Sequence, residues 1–147
     1  MEIFLKTVDK QDINLLFLWL NKEDSLSGKI ISNKPILLNK HQEWFAERLR
    51  DKETHMWIIQ NDKKKPIGQI RFQKKIENFL DIDIYVSSEA RRHGIASKAL
   101  KLATLQVQNK SLRAIVKKHN RSSYKLFKSS GFSLLSEDIF KWILIKH

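Results

Sequence analysis

At 147 residues the chain is long enough for one domain with a buried core, and its 41% hydrophobic and 30% charged content exclude an intrinsically disordered segment. It contains no cysteine, which excludes disulfides, thiolate nucleophiles and thiolate metal sites and suits a reducing compartment. Lys and Arg number 28 against 16 Asp and Glu, a formal charge of +12 that attracts polyanions such as nucleic acid, acidic membrane or a phosphorylated cofactor.

Residues Glu2–Val8 alternate weakly, as a first strand does. Asp9 then offers a helix N-cap, with Asp12 three residues on, ahead of the apolar stripe Ile13, Leu16, Phe17 and Leu20. That apolar run is too short to span a bilayer, and it follows the acidic Glu2, Asp9 and Asp12, unlike a signal peptide; the expectation is a cytoplasmic protein without a membrane partner. Residues 22–38 carry Gly28, Pro35 and several Ser and Asn, and read as an irregular excursion or a short helical piece. Asn39 is a candidate cap for a second helix, His41–Arg50. Three strands follow, Met56–Gln60, Ile67–Lys74 and Phe79–Val86, the first two as a hairpin. In the third, Leu80, Ile82, Ile84 and Val86 alternate with Asp81, Asp83 and Tyr85, so one face is apolar and the other polar. A helix runs from Gly94 to about Gln108, then a strand Leu112–Lys117, a capped helix Asn120–Ser130 ended by Gly131, and the strands Phe132–Leu135 and Ile139–Ile145. The order β-α-α-β-β-β-α-β-α-β-β describes one mixed α/β (α+β, mixed-sheet) domain spanning residues 1–147.

The chemistry concentrates where the third strand runs into a basic loop and a glycine opens a helix, Asp81 to Ser97. A helix N-terminus presents unpaired N–H groups and the positive end of the dipole, which favours phosphate. Arg91, Arg92 and His93 add charge, and Gly94 and Ala96 let an anion approach the backbone. With only Gly28, Gly68, Gly94 and Gly131, neither GxxxxGK[ST] nor GxGxxG can be written. The five histidines form no i,i+4 pair, so no metal is expected.

Arg91-x-x-Gly94-x-Ala96 resembles the [QR]-x-x-G-x-[GA] acetyl-CoA loop of the GNAT superfamily. Asn120 through Phe132, closing in Leu126-Phe127-x-x-x-Gly131-Phe132, resembles that family's second signature. The resemblance covers the whole element order and implies an acetyl-CoA-dependent N-acetyltransferase. It implies that the backbone of Arg92, His93, Gly94, Ile95, Ala96 and Ser97 holds the pyrophosphate, that Tyr85 and Val86 pair with the pantetheine arm, and that Asn120 and Ser123 reach the arm from the next helix. It also places the thioester where Phe79–Val86 and Leu112–Lys117 splay apart. A main-chain N–H near Ile84–Val86 is the candidate oxyanion donor, and Asp81 and Asp83 are the candidate general bases. Many family members carry a tyrosine where Phe127 stands here; Tyr124, Tyr85 or water is left as the acid, with Phe127 packing beside the pantetheine.

In the first half, Trp19-Leu20-Asn21, Asn33-Lys34-Pro35-Ile36, His41-Gln42-Glu43-Trp44-Phe45 and Gly68-Gln69-Ile70-Arg71-Phe72 resemble a GNAT branch acting on nucleotide-linked 4-amino-deoxy sugars. Leu20 stands where that branch has arginine. Asn21, Lys34, His55 and Arg71 are the candidate acceptor contacts, while Trp44 and Phe45 at helical spacing read as core. The resemblance allows a homodimer. Protein N-terminal, antibiotic and polyamine acetyltransferases are the other enzyme readings, and a basic nucleic-acid-binding module is the alternative of a different class. That module would need aromatic residues interleaved with a basic patch, and the most basic helix carries the acetyl-CoA signature instead.

Overall fold

The computed structural model describes residues 1–22 and 36–147. Strands β1 (Ile3–Thr7), β2 (Thr54–Asn61), β3 (Pro66–Ile76), β4 (Phe79–Val86), β5 (Ser111–Lys117), β6 (Ser133–Glu137) and β7 (Lys141–Lys146) form one sheet in the order β1-β2-β3-β4-β5-β7-β6. Helices α1 (Ile13–Leu20), α2 (Leu38–Arg50), α3 (Ile95–Gln106) and α4 (Arg121–Ser129) complete the expected order. Every strand pairing is antiparallel except β4–β5. That parallel pair needs a crossover, which α3 supplies.

The local signals act largely as the residues dictate. Asp9 and Asp12 form a reciprocal capping box, with Gln11 N donating to Asp9 Oδ1 and Asp9 N to Asp12 Oδ2, both at 2.9 Å. The box opens a 3-10 turn, Lys10–Asp12, that leads into α1. The second helix starts earlier than Asn39 suggested: α2 begins at Leu38, and Asn39 lies inside its first turn. Asn120 does cap α4, its Oδ1 accepting from Ser123 N at 3.2 Å.

Alternation along the strands sends two sets of side chains to opposite faces. On one face Trp57, Ile59, Ile70, Phe72, Leu80 and Leu112 pack with Ala99, Leu100 and Ala103 of α3 and Phe127 of α4. On the other, Met56 and Ile58 pack with Trp19 of α1 and Phe45 of α2. Gln69, Arg71, Asp81, Asp83 and Tyr85 share this second face by the same alternation. Among the described residues, no helix is long and apolar enough to cross a membrane.

Candidate functional site

Arg92 and Gly94 both adopt left-handed backbone, with φ of 68° and 70°. Gly94 is the N-cap residue of α3, and a Cβ there would meet nothing within 4 Å among the described residues, so its requirement is conformational. Lys98 N bonds back to Gly94 O at 3.1 Å, so the N–H groups of Ile95, Ala96 and Ser97 lie in the first turn, ahead of the helical ladder. Arg91, Arg92 and His93 are exposed around them, whereas the Ile95 side chain is buried in the core and contributes only its N–H. Three outward amides, the helix dipole and two guanidinium groups fit a pyrophosphate. Arg91 also folds back: its Nε donates to Val86 O at 2.8 Å, and its guanidinium lies 5.6 Å from the centre of the Tyr85 ring.

Beside this loop the sheet opens. β4 and β5 pair only at Phe79–Ser111, Leu80–Leu112 and Asp81–Arg113. Beyond that rung β4 continues to Val86 and β5 to Lys117 without pairing to each other. Ser87 N donates to Ile67 O at 2.9 Å. Because antiparallel ladders alternate, Asp81, Asp83 and Tyr85 therefore direct their main-chain bonds to β3, while Ile82, Ile84 and Val86 direct theirs to the gap. The gap is the expected splay. Of the main-chain groups expected to pair with a pantetheine arm, those of Tyr85 are turned to β3, and the Val86 carbonyl is already taken by Arg91.

On the α1–α2 side of β3 and β4 lies a half-open cleft lined by Leu16, Trp19, Leu20, His41, Trp44, Met56, Gln69, Arg71, Asp83 and Tyr85. Asp83 accepts from Gln69 Nε2 at 2.8 Å and lies 3.8 Å from Arg71 Nη1. Arg71 stacks over Trp44 at 4.8 Å. His41, 2% exposed, sits among Phe17, Trp44 and Phe45, and burial pushes its imidazole below the ordinary histidine range. Its Nε2 lies 3.3 Å from Ile13 O, which can only accept, so Nε2 carries the proton and the buried Nδ1, without a partner among the described residues, keeps its lone pair.

Several expected residues stand elsewhere. Asp81 is held by Arg113 through two bonds, 2.7 and 2.5 Å, which unsuits it as a proton acceptor. His55 lies on the opposite face from Arg71, ring-stacked on Trp57, because it alternates with Met56 along β2. Asn21 uses its carboxamide on the main chain of Ile36, accepting from N at 2.7 Å and donating to O at 3.0 Å. Tyr124 packs on Trp142 of β7, ring centres 4.3 Å apart, across β5 from the gap. Phe127 is 6% exposed and packs edge-on against Phe132, so its ring is core. Asn120 spends Oδ1 on the cap, which leaves its NH2 to offer a ligand and engages the N–H of Ser123. Lys34 lies outside the described residues.

The cleft also contains residues that the sequence reading passed over. His41 and Gln69 stand within the quoted branch pattern, and Trp44, taken there for core, is half-buried and forms a cleft wall. The helical spacing that marked Trp44 as apolar could not distinguish a core wall from a cleft wall.

The model of the acetyltransferase (GNAT) domain family matches residues 2–133. Acetyltransferase PseH of Campylobacter jejuni is 23% identical over 133 residues, covering 89% of this chain and 83% of that protein. A domain from Methanocaldococcus jannaschii superposes with a TM-score of 0.84 at 19% identity, covering 99% of this chain and 97% of its own. Spermidine N-acetyltransferase from Vibrio cholerae, in complex with CoA and spermine, superposes with a TM-score of 0.84 at 14% identity, covering 98% and 94%.

Proposed function

Because the chain belongs to the GNAT acetyltransferase family, we propose that it moves an acetyl group from acetyl-CoA to the primary amine of a nucleotide-linked 4-amino-deoxy sugar bound in the cleft above Asp83. The observation that carries the reading is the parting of β4 and β5 beside a helix N-terminus flanked by Arg91 and Arg92, with a carboxylate-bearing cleft on the same strand. Acetyl-CoA supplies an activated acetyl thioester. The N–H groups of Ile95, Ala96 and Ser97 bind its pyrophosphate, and Asn120 offers its NH2 to the arm.

Asp83 takes the proton that leaves the amine as nitrogen attacks, directly or through one water. The Ile84 N–H, turned toward the gap, steadies the carbonyl oxygen as charge builds there. The carbon–sulfur bond breaks and the proton taken up by Asp83 passes through water to the thiolate, since Tyr124 is committed to Trp142 and position 127 is phenylalanine. A sugar body suits walls of Trp19, Trp44, Tyr85 and Met56 around few polar groups, and a nucleotide's phosphates suit the +12 chain. The resemblance of Trp19–Asn21, His41–Phe45 and Gly68–Phe72 to the amino-sugar branch supports the same acceptor. A polyamine suits the cleft less well, because Asp83, the one carboxylate lining it among the described residues, is already beside Arg71.

The test is calorimetric titration with acetyl-CoA of the wild type and of Gly94→Asp, followed by acetylation assays on a panel of amino-sugar nucleotides and polyamines. Binding by the wild type that is lost in the folded variant supports the cofactor site, and turnover of the sugar nucleotide alone supports the acceptor. A wild type that ignores acetyl-CoA overturns the reading and favours the nucleic-acid module.

A further inference from the structure

Strands that begin paired tend to stay paired, because each rung satisfies backbone groups that otherwise need water or another partner. β4 and β5 stop after three rungs, although both continue for several residues. The last rung is Asp81 opposite Arg113, and these two side chains meet in a fork: Nε to Oδ1 at 2.7 Å and Nη2 to Oδ2 at 2.5 Å. Both are largely shielded, at 11% and 15% side-chain exposure. A shielded fork fixes two planar groups in one relative placement, and a one-residue slip of either strand would turn one charge to the opposite, apolar face. That face holds Leu80 and Leu112, which are 6% and 1% exposed.

Asp83 follows Asp81 by two residues and shares its face. The rung that anchors Asp81 therefore also sets where Asp83 stands relative to the gap. Arg113 is engaged by Asp81, while Gln69 and Arg71 of β3 approach Asp83.

We propose that the Asp81–Arg113 pair is a positioning latch that fixes the rung at which β4 and β5 part, and thereby sets the place of the acetyl thioester relative to Asp83. Asp81 acts through the strands and not on the acceptor. The latch rests on the acetyl-transfer reading above.

CoA affinity by calorimetry and steady-state acetylation are measured for the wild type, Asp81→Asn, Arg113→Lys and the exchanged double variant Asp81→Arg/Arg113→Asp. All are assayed below their unfolding transitions, with folding checked by circular dichroism. Asp81→Asn is expected to weaken CoA binding and raise KM for acetyl-CoA about tenfold, as loss of one partner of a shielded pair disturbs its surroundings. Arg113→Lys keeps the charge but loses the fork, and is expected to lose about threefold. The exchanged pair is expected to recover to within about threefold of the wild type, the signature of coupling between the two sites.

Wild-type CoA affinity in both Asp81→Asn and Arg113→Lys overturns the latch. So does a folded exchanged variant that binds CoA no better than Asp81→Asn. A folded exchanged variant that regains CoA affinity but not turnover shows Asp81 acting in the chemistry itself, and also overturns it. Failure of the wild type to bind CoA is a separate result, which removes the acetyl-transfer reading and the latch with it.

Discussion

Gln69 donates from Nε2 to Asp83 Oδ2 at 2.8 Å across the β3–β4 ladder, and the bond runs diagonally, because Gln69 stands opposite Tyr85 while Arg71 stands opposite Asp83. The carboxylate is thus held from one side by a neutral amide and approached from the other by a guanidinium at 3.8 Å. Its side chain keeps 37% exposure, so it is oriented without being sealed from the cleft.

Replacing Asp83 by Asn preserves the shape and the possibility of a bond to Gln69 but removes the proton acceptor. The expected outcome is a fall in kcat of about a hundredfold or more, the range typical for loss of general-base catalysis. CoA affinity is expected to stay within about twofold, because α3, which follows the basic loop, packs on the opposite face of the sheet from the Asp83 side chain. Stopped-flow or coupled thiol-release assays check the first quantity and calorimetry the second.

Gly68 faces Val86 on the rung where β3 and β4 approach closely, and a Cβ there would collide with the Tyr85 carbonyl oxygen and press on Val86 Cα and Ile59 Cδ1. Two of these three atoms are backbone and cannot swing away. Gly68→Ala is therefore expected to cost about 3 kcal/mol of stability, at the upper end of overpacking penalties. Denaturant titration of the two proteins measures it. Gly94→Ala gives the contrasting case: the space is open and only the left-handed backbone resists, for about 1–2 kcal/mol.

The order of elements, the glycine that opens α3 and the Asn120 cap of α4 are local properties, and they were legible in the sequence. The alternation Leu80/Ile82/Ile84/Val86 against Asp81/Asp83/Tyr85 marks two faces of a strand, and Asn120 ahead of an apolar stripe marks a cap. What the chain did not announce depends on register. Asp81 and Asp83 look equivalent in sequence, yet only the pairing of β4 with β5 brings Arg113 opposite the first and leaves the second to the cleft. His55 and Met56 are neighbours, and the choice of which one faces Arg71 rests on the β2–β3 register. Asn21 is tied to Ile36, 15 residues away, by a contact that local pattern does not encode.

Two imidazoles, His41 buried and His55 half-buried, predict how stability responds to acid. Burial lowers the titration of both His41 and His55 from the ordinary value of 6.5. A group that is harder to protonate when folded leaves the unfolded chain binding more protons below pH 6.5, so their stabilisation is complete above that pH and is lost as the pH falls through the lowered folded values. Thermal unfolding is expected to be flat from about pH 7 to 8 and to decline from about 6.5 toward 5. His41→Gln and His55→Gln should each shallow that decline, and the double variant should shallow it most. An unchanged slope in both single variants would show that other groups carry the acid sensitivity.

Tyr124, on the helix that follows β5, is one of the two tyrosines expected as candidates for protonating the departing thiolate. Its ring lies tilted on Trp142, which Lys118 also covers with its ammonium at 4.9 Å, so the tyrosine belongs to a stack over β7. Two substitutions separate packing from proton transfer. Tyr124→Phe keeps the stack and removes the hydroxyl, and is expected to leave kcat within about threefold, far short of the loss that follows removal of a general acid. Tyr124→Ala removes the stack and is expected to cost about 2–3 kcal/mol of stability, less than the loss of a fully buried aromatic because Tyr124 is half-buried. Should Tyr124→Phe instead lower kcat by about a hundredfold with CoA affinity intact, the hydroxyl donates the proton, and the ring must leave Trp142 during turnover to do so.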